Sequence, residues 1–247
     1  MKKQILENPF SISNRLTGDF FCGREEESIR LITIARNSVN SILLGPVRMG
    51  KTTLIRKTLE KLQNNKEFKC LYLDIHATEN LKEFTKCFYE SILLIFPEKS
   101  SVNFDFTLPK QNEQVLLSLF DFLDKQHVKV LITIDEFQQI ARYPEKNTIT
   151  ILRQATQKLK NVNFIFSCSN EYLLNDFFDD AKQAFFTNFD LLQLGGIKQS
   201  VYSDFIMEHF EKRKRKITEE AINFILEWTR RHTYYTQVLC KSVFEID

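Results

Sequence analysis

One lysine set between two glycines and two threonines raises the first question of chemistry. In Gly45-Pro46-Val47-Arg48-Met49-Gly50-Lys51-Thr52-Thr53 the glycines have four residues between them, and Lys51 follows the second at once. The chain has only 6 glycines in 247 residues, so a pair placed here has a specific use. This is the spacing of a phosphate-binding loop. The backbone must bend sharply and approach an anion with no Cβ in the way. Inward-facing N–H groups and the positive end of a following helix then form the anion site. Lys51, expected at the mouth of the site, would reach the β- and γ-phosphates, and the Thr52 hydroxyl would ligate Mg²⁺. Pro46, Val47, Arg48, Met49 and Thr53 complete the candidate nucleotide-binding loop.

A phosphate loop of this kind needs an acid to hold the metal. The run "VLITIDEFQQI" at 130–140 carries an apolar stretch into Asp135, with Glu136 directly after it. Asp135 is the candidate magnesium carboxylate. Glu136 is the candidate catalytic base that orients and polarises water. An acidic turn closing a strand would look the same in isolation; the loop upstream favours the metal reading. The run "VNFIFSCSN" at 162–170 ends in Ser167, Ser169 and Asn170. Ser169 is a catalytic candidate placed to meet a γ-phosphate or the water, with plain strand-end capping as the alternative.

These side chains need strands to carry them. β-type runs occur at 41–45, 69–75, 128–135, 162–169 and 191–197, and the middle three are nearly continuous in apolar residues. Strands covered on both faces read that way, which points to a parallel sheet between helices. Leu81, Phe84, Phe88, Ile92 and Ile95 have helical spacing, as do Ile55, Leu59 and Leu62, and Ile151, Ala155 and Leu159. Alternating strand and helix predicts an α/β domain. The stretch 103–114 is expected to be a surface loop. After Gly195-Gly196 the strand signal stops. Val201, Phe205 and His209 mark one helix. Thr218, as N-cap to an acidic first turn, opens a second that runs through Trp228. Tyr235, Val238 and Leu239 mark a third. The expected division is a core at 1–197 and a helical lid at 198–247.

Five stretches occur in a telling order: "NPF" at 8–10, "FFCGREEE" at 20–27, "GPVRMGKTT" at 45–53, "IDEFQQI" at 134–140 and "HTYYTQVLC" at 232–240. Together they resemble the archaeal-type ATPase family, a branch of the STAND group of P-loop ATPases related to the AAA+ proteins. The resemblance covers nearly the whole chain. It implies an additional-strand P-loop fold with a parallel five-stranded sheet in the order 5-1-4-3-2 and a C-terminal helical lid. It implies ATP and Mg²⁺ as cofactors, and the absence of an Asn-Lys-x-Asp motif agrees with adenine. It also implies that the segment of Phe21, Cys22, Gly23 and Arg24 lies by the adenine. Relatives carry a Gly-x-Pro element in the lid; here Arg231-His232-Thr233 stands in that place, with His232 or Arg231 as the substitute contact. Relatives also carry an arginine before the last strand. The stretch 185–190 has none, which leaves Arg153, Arg230 or another subunit to supply one. A winged-helix or effector domain commonly follows in relatives, and this chain stops at Asp247.

Composition narrows the partners. A net charge of +2 gives no global pull toward nucleic acid or an anionic membrane. The one dense basic run, "EKRKRK" at 211–216, reads as a solvated turn between lid helices, so DNA binding by this chain alone is expected to be weak. The five cysteines, 22, 70, 87, 168 and 240, include no C-x-x-C pair and read as reduced thiols of a cytoplasmic protein. The N-terminus lacks an apolar signal region, and no apolar run is long enough to span a bilayer. The expectation is a cytoplasmic Mg²⁺-dependent ATPase that binds ATP and ADP and works as a nucleotide switch, with a homo-oligomer or a protein partner left open. The rivals are a DNA-associated ATPase and a noncatalytic nucleotide-binding scaffold.

Overall fold

The computed structural model describes residues 8–10, 21–97, 109–169 and 189–246. In chain order the elements are α1 (Glu25–Arg36), β1 (Asn40–Leu44), α2 (Lys51–Asn64), β2 (Phe68–Asp74), α3 (Leu81–Ile95), α4 (Pro109–Asp124) and β3 (Lys129–Asp135). A 3₁₀ turn (Phe137–Arg142), α5 (Thr148–Lys158), β4 (Val162–Cys168) and β5 (Phe189–Gln193) follow. The last three helices are α6 (Gln199–Glu211), α7 (Glu219–Trp228) and α8 (Thr233–Glu245).

The five strands form one sheet in the order β2-β3-β4-β1-β5, the expected 5-1-4-3-2 read from the other edge. Every pairing is parallel. Period-two alternation divides the apolar residues between two faces. Leu43, Cys70, Leu131 and Ile165 turn toward α1 and α2, where Leu31, Leu54, Ile55 and Leu62 meet them. Ile42, Leu71, Ile132, Phe164 and Phe166 turn the other way, onto Phe84 and Phe88 of α3, Leu116 and Phe120 of α4 and Leu152 of α5. The sheet is thus covered on both sides, as its continuous apolar strands require.

Helix α4 corrects the sequence reading. Residues 109–114 open this helix instead of closing a surface loop; residues 103–108 lie outside the described residues. Polar residues at 110–114 resemble a loop, but Leu116, Leu119, Phe120 and Leu123 recur at helical spacing and are all buried. That stripe was the signal to read.

The C-terminal helices have an apolar cluster of their own, formed by Tyr202, Ile206, Phe210, Ile222, Ile225, Leu226, Cys240 and Phe244. Phe10 and Cys22 join it from the N-terminal part of the chain. The Asn8 amide donates to Lys241 O on α8 at 3.1 Å, which ties the chain start to the last helix. Thr218 caps α7 as expected, its hydroxyl accepting from Ala221 N at 3.2 Å. Among the described residues, no helix is long and apolar enough to cross a membrane.

None of the five thiols is in a disulfide. Burial pushes Cys22, Cys70 and Cys240 up to about 12, so little thiolate forms at neutral pH. Cys168 is buried and Cys87 is half-buried. Iodoacetamide at pH 8 should therefore label Cys87 ahead of the other four, which should react only after denaturation. Peptide mass spectrometry reads the order; rapid native labelling of Cys70 would contradict this packing.

Candidate functional site

The loop between β1 and α2 is built against two neighbouring strands. Gly45 N donates to Cys168 O at the end of β4 at 3.2 Å. A Cβ on Gly45 would lie 2.9 Å from Leu194 Cβ and 3.0 Å from Leu194 O, so only glycine fits where the β5 exit crosses. Gly50, at φ 94°, turns the chain into α2 through the left-handed region. Arg48 adopts φ 61° without being glycine, and its guanidinium lies 4.4 Å from the centre of the Tyr234 ring. Lys51 is not at the mouth. It is 4% exposed, and its Nζ donates to Gly45 O at 2.7 Å and Pro46 O at 2.9 Å, inside the loop. Burial lowers its pKa, and the nearby Glu136 and Asp135 oppose that shift.

The two acids leave the end of β3 in different directions. Asp135 is 1% exposed; its Oδ2 accepts from Thr52 Oγ1 at 2.6 Å and from Tyr72 O–H at 2.8 Å. Its Oδ1 accepts from Glu136 N at 3.1 Å. Glu136 sits at φ 58°, a left-handed turn that swings its side chain out of the strand. The Glu136 carboxylate accepts from the Gln138 amide and from Ser169 Oγ, the latter at 3.3 Å to each oxygen. Ser169 N in turn donates to Gln138 Oε1 at 3.2 Å. Lys51, Thr52, Asp135, Glu136 and Ser169 thus gather at the carboxyl ends of β1, β3 and β4, where ligands of open parallel sheets bind. Ser167 does not join them: it is buried within β4. Asn170 lies outside the described residues.

A third group bears on the loop from outside the sheet. Arg24, at φ 72° before α1, is 7% exposed. Its guanidinium donates to Gly195 O at 2.6 Å and Met49 O at 3.5 Å and pairs with Glu27 at 2.9 Å. Gly23 before it has φ 62°, and a Cβ there would meet Ile197 Cγ2 at 3.0 Å. Phe21 packs under α1 and α2 with the Lys57 ammonium 3.8 Å from its ring centre. Thr233, in the first turn of α8, donates its hydroxyl to Met49 O at 2.9 Å. His232 precedes it; burial lowers its pKa, partly offset by the Val47 backbone. Met49, Trp228, Thr229, Arg230, His232 and Tyr235 line a cleft of about 440 Å³ beside the loop.

A family profile described as an ATPase domain predominantly from Archaea matches residues 21–229. That span holds the loop, both acids and most of the helical region. The chain belongs to this archaeal ATPase family. It is accordingly an ATP-hydrolysing P-loop enzyme. Solved structures share the fold. A Walker-type ATPase of Pyrococcus abyssi matches with a TM-score of 0.73 at 19% identity, over 96% of this chain and 72% of that one. The Aeropyrum pernix ORC1 protein, solved in complex with DNA, matches with a TM-score of 0.68 at 16% identity, over 97% of this chain and 64% of that one. The Aeropyrum pernix ORC2 protein, in ADPNP–ADP complexes, matches with a TM-score of 0.61 at 18% identity, over 81% of this chain and 55% of that one. This chain thus spans less than two thirds of either ORC protein. No curated protein matches it.

In this archaeal-type ATPase, several site neighbours escaped the sequence reading. Tyr72 carries no motif of its own, and Thr233 lies in the stretch 232–240 with nothing there to mark its bond to Met49. Gln138 lies inside the "DEFQ" piece, and its position two residues after Glu136 was the available signal. Of the candidate arginines, Arg230 lines the cleft by Met49, whereas Arg153 lies on α5.

Proposed function

We propose that this ATPase is a Mg²⁺-dependent nucleotide switch, in which the state of the phosphate loop is read by the helices that follow residue 197. The division into a core at 1–197 and a lid at 198–247 is part of this reading. It is supported by the apolar cluster of α6, α7 and α8, into which Phe10, Cys22 and Ile197 also pack from before residue 198.

The residues present fit a magnesium ion. A buried carboxylate at the end of β3 and a hydroxyl 2.6 Å from it at the start of α2, Asp135 and Thr52, are hard oxygen donors. Bound there, the ion would offset charge on the β- and γ-phosphates. Lys51 exchanges its two carbonyl partners for phosphate oxygens. The N–H groups of the loop cradle the phosphates from below. Glu136 accepts the proton of the attacking water, with Gln138 and Ser169 holding its carboxylate in place. Gly23, Arg24 and Phe21 flank the base, and His232 approaches the nucleotide from the lid. A noncatalytic scaffold would have no use for so restrained a second acid.

The observation that carries the switch is the Thr233 hydroxyl on Met49 O. A loop that reshapes around phosphate must strain or release that bond, and α8 moves with it. Trp228, the chain's one tryptophan, lines the cleft with Met49 and is 68% exposed. Its fluorescence should change when ATP and Mg²⁺ are added, and Thr233→Ala should blunt the change while ATP still binds. A flat titration in a protein shown by calorimetry to bind ATP would sink the switch.

A DNA-associated ATPase is the second reading, prompted by the likeness to an ORC1 protein solved with DNA. The basic run at 211–216 offers it little. Lys212 pairs with Glu208 at 2.6 Å, and Arg215 donates to Ile246 O at 3.0 Å while stacking on Phe244. Binding to duplex DNA should be weak and steeply salt-dependent; submicromolar affinity at physiological salt would promote this reading. Self-association, a protein partner and a cytoplasmic setting for the reduced thiols also belong to the proposal.

A further inference from the structure

We infer that Tyr72 is a positioning residue of the metal site, holding the Asp135 carboxylate in the orientation from which it meets the ion. The inference rests on the reading of Asp135 as the magnesium acid.

The Asp135 carboxylate is restrained from three directions. Thr52 reaches Oδ2 from α2, Tyr72 reaches the same oxygen from β2, and Glu136 N reaches Oδ1 from the strand's own exit. A carboxylate oxygen has two lone-pair sites, so Thr52 and Tyr72 between them fill those of Oδ2. Their duties differ once nucleotide and metal arrive. The Thr52 oxygen would also serve the ion through a lone pair while its O–H still donates to Asp135, whereas the Tyr72 hydroxyl faces the carboxylate alone. A phenol hydroxyl stays protonated at neutral pH and remains a donor. Tyr72 is therefore the side chain that holds Oδ2 with no second duty at the ion.

The fold places Tyr72 for this. β2 pairs with β3 in parallel, with Tyr72 opposite Thr133, one full period before Asp135, so both side chains leave the same face of the sheet. Of the other residues of β2 on that face, Phe68 and Cys70 join the apolar cluster under α1 and α2, while Asp74, opposite Asp135, is exposed. Tyr72 packs against that cluster too, and its hydroxyl reaches past it to the carboxylate. The Arg56 guanidinium lies 5.1 Å from the ring centre. Arg56 is one helical turn beyond Thr52 on α2, so the helix that carries the hydroxyl ligand also braces the ring. Ser91 Oγ donates to Tyr72 O at 3.3 Å and steadies the strand from α3. Groups that orient a metal's ligands in this way tune metal affinity without touching the ion.

Tyr72→Phe tests the inference, because it keeps the ring and the Arg56 contact and deletes only the hydroxyl. A fluorescent ATP analogue is titrated into wild type, Tyr72→Phe and Asp135→Asn, in EDTA and across a range of Mg²⁺ concentrations. Mn²⁺ affinity of each nucleotide complex is read by electron paramagnetic resonance. In Tyr72→Phe, affinity in EDTA should be unchanged. The Mg²⁺ concentration for half-maximal tightening, and the Mn²⁺ dissociation constant, should rise by about 10–100-fold. A structural role alone would weaken binding equally with and without metal, and that outcome overturns the inference. So does a wild-type metal requirement in Tyr72→Phe when Asp135→Asn has lost metal-dependent tightening. If Asp135→Asn keeps that tightening, the assignment of Asp135 itself fails, and the role of Tyr72 falls with it.

Discussion

Glu136→Gln should leave ATP binding intact and slow hydrolysis by about 10²–10⁴-fold, the usual worth of a positioned general base. Binding survives because the groups proposed to hold nucleotide and metal are untouched. Lys51 faces the loop carbonyls, and Asp135 is restrained by Thr52 and Tyr72, independently of the Glu136 carboxylate. Hydrolysis falls because an amide cannot take a proton from water. The Glu136 carboxylate accepts from both the Gln138 amide and Ser169 Oγ. A glutamine oxygen can still accept from one of them, so the side chain keeps its place, and the left-handed backbone at 136 is as open to glutamine as to glutamate. The variant should therefore accumulate with ATP bound, and any ATP-dependent self-association should persist in light scattering. Single-turnover kinetics separates the outcomes. Full turnover would mean that another residue activates water; lost binding would mean that Glu136 helps hold the metal.

The parts of this site legible in sequence are those whose chemistry forces a local spacing. Gly45, Gly50, Lys51 and Thr52 must be neighbours because one short loop wraps one phosphate group. Asp135 and Glu136 must close an apolar run because the strand delivers them. The strands were legible for a related reason, since double coverage leaves β3 and β4 without polar interruptions; β5 was less so, its run placed at 191–197 where the strand spans Phe189–Gln193. Their order was not; it came through resemblance to a family. What stayed hidden depends on contacts remote in sequence. Tyr72 reaches Asp135 across 63 positions, and Thr233 reaches Met49 across 184, so no window of residues records either. Backbone strain was hidden as well. Arg48 and Glu136 occupy the left-handed region that glycine usually marks, and nothing in their side chains announces it. The depth of Lys51 belongs to the same class, because it depends on where Gly45 and Pro46 point their carbonyls.

Lys51→Met should abolish tight ATP binding and leave the protein folded. Methionine suits the test better than alanine because Lys51 is 4% exposed, and truncation would leave a void beside Gly45 and Pro46. Methionine fills most of the lysine's volume and removes the charge and the donors. Two effects then oppose each other in the free protein. Loss of the bonds to Gly45 O and Pro46 O leaves those carbonyls without their donor, at roughly 1–3 kcal/mol each if no other group turns to them. Loss of a buried ammonium, whose charged form burial already disfavours, returns part of that cost. The melting temperature without nucleotide should therefore shift by only a few degrees. Binding is compensated only in that the variant has no bonds to Gly45 O and Pro46 O to give up when phosphate arrives. Each charge-assisted bond to phosphate contributes roughly 1.5–3 kcal/mol, so two lost bonds lower affinity by about 10²–10⁴-fold. Thermal melting with and without ATP reads both effects at once: wild type gains stability from ligand, and Lys51→Met should gain none at the same concentration. A wild-type ATP-induced shift in the variant would mean that the lysine bound to Gly45 and Pro46 braces the loop and has no part in holding phosphate.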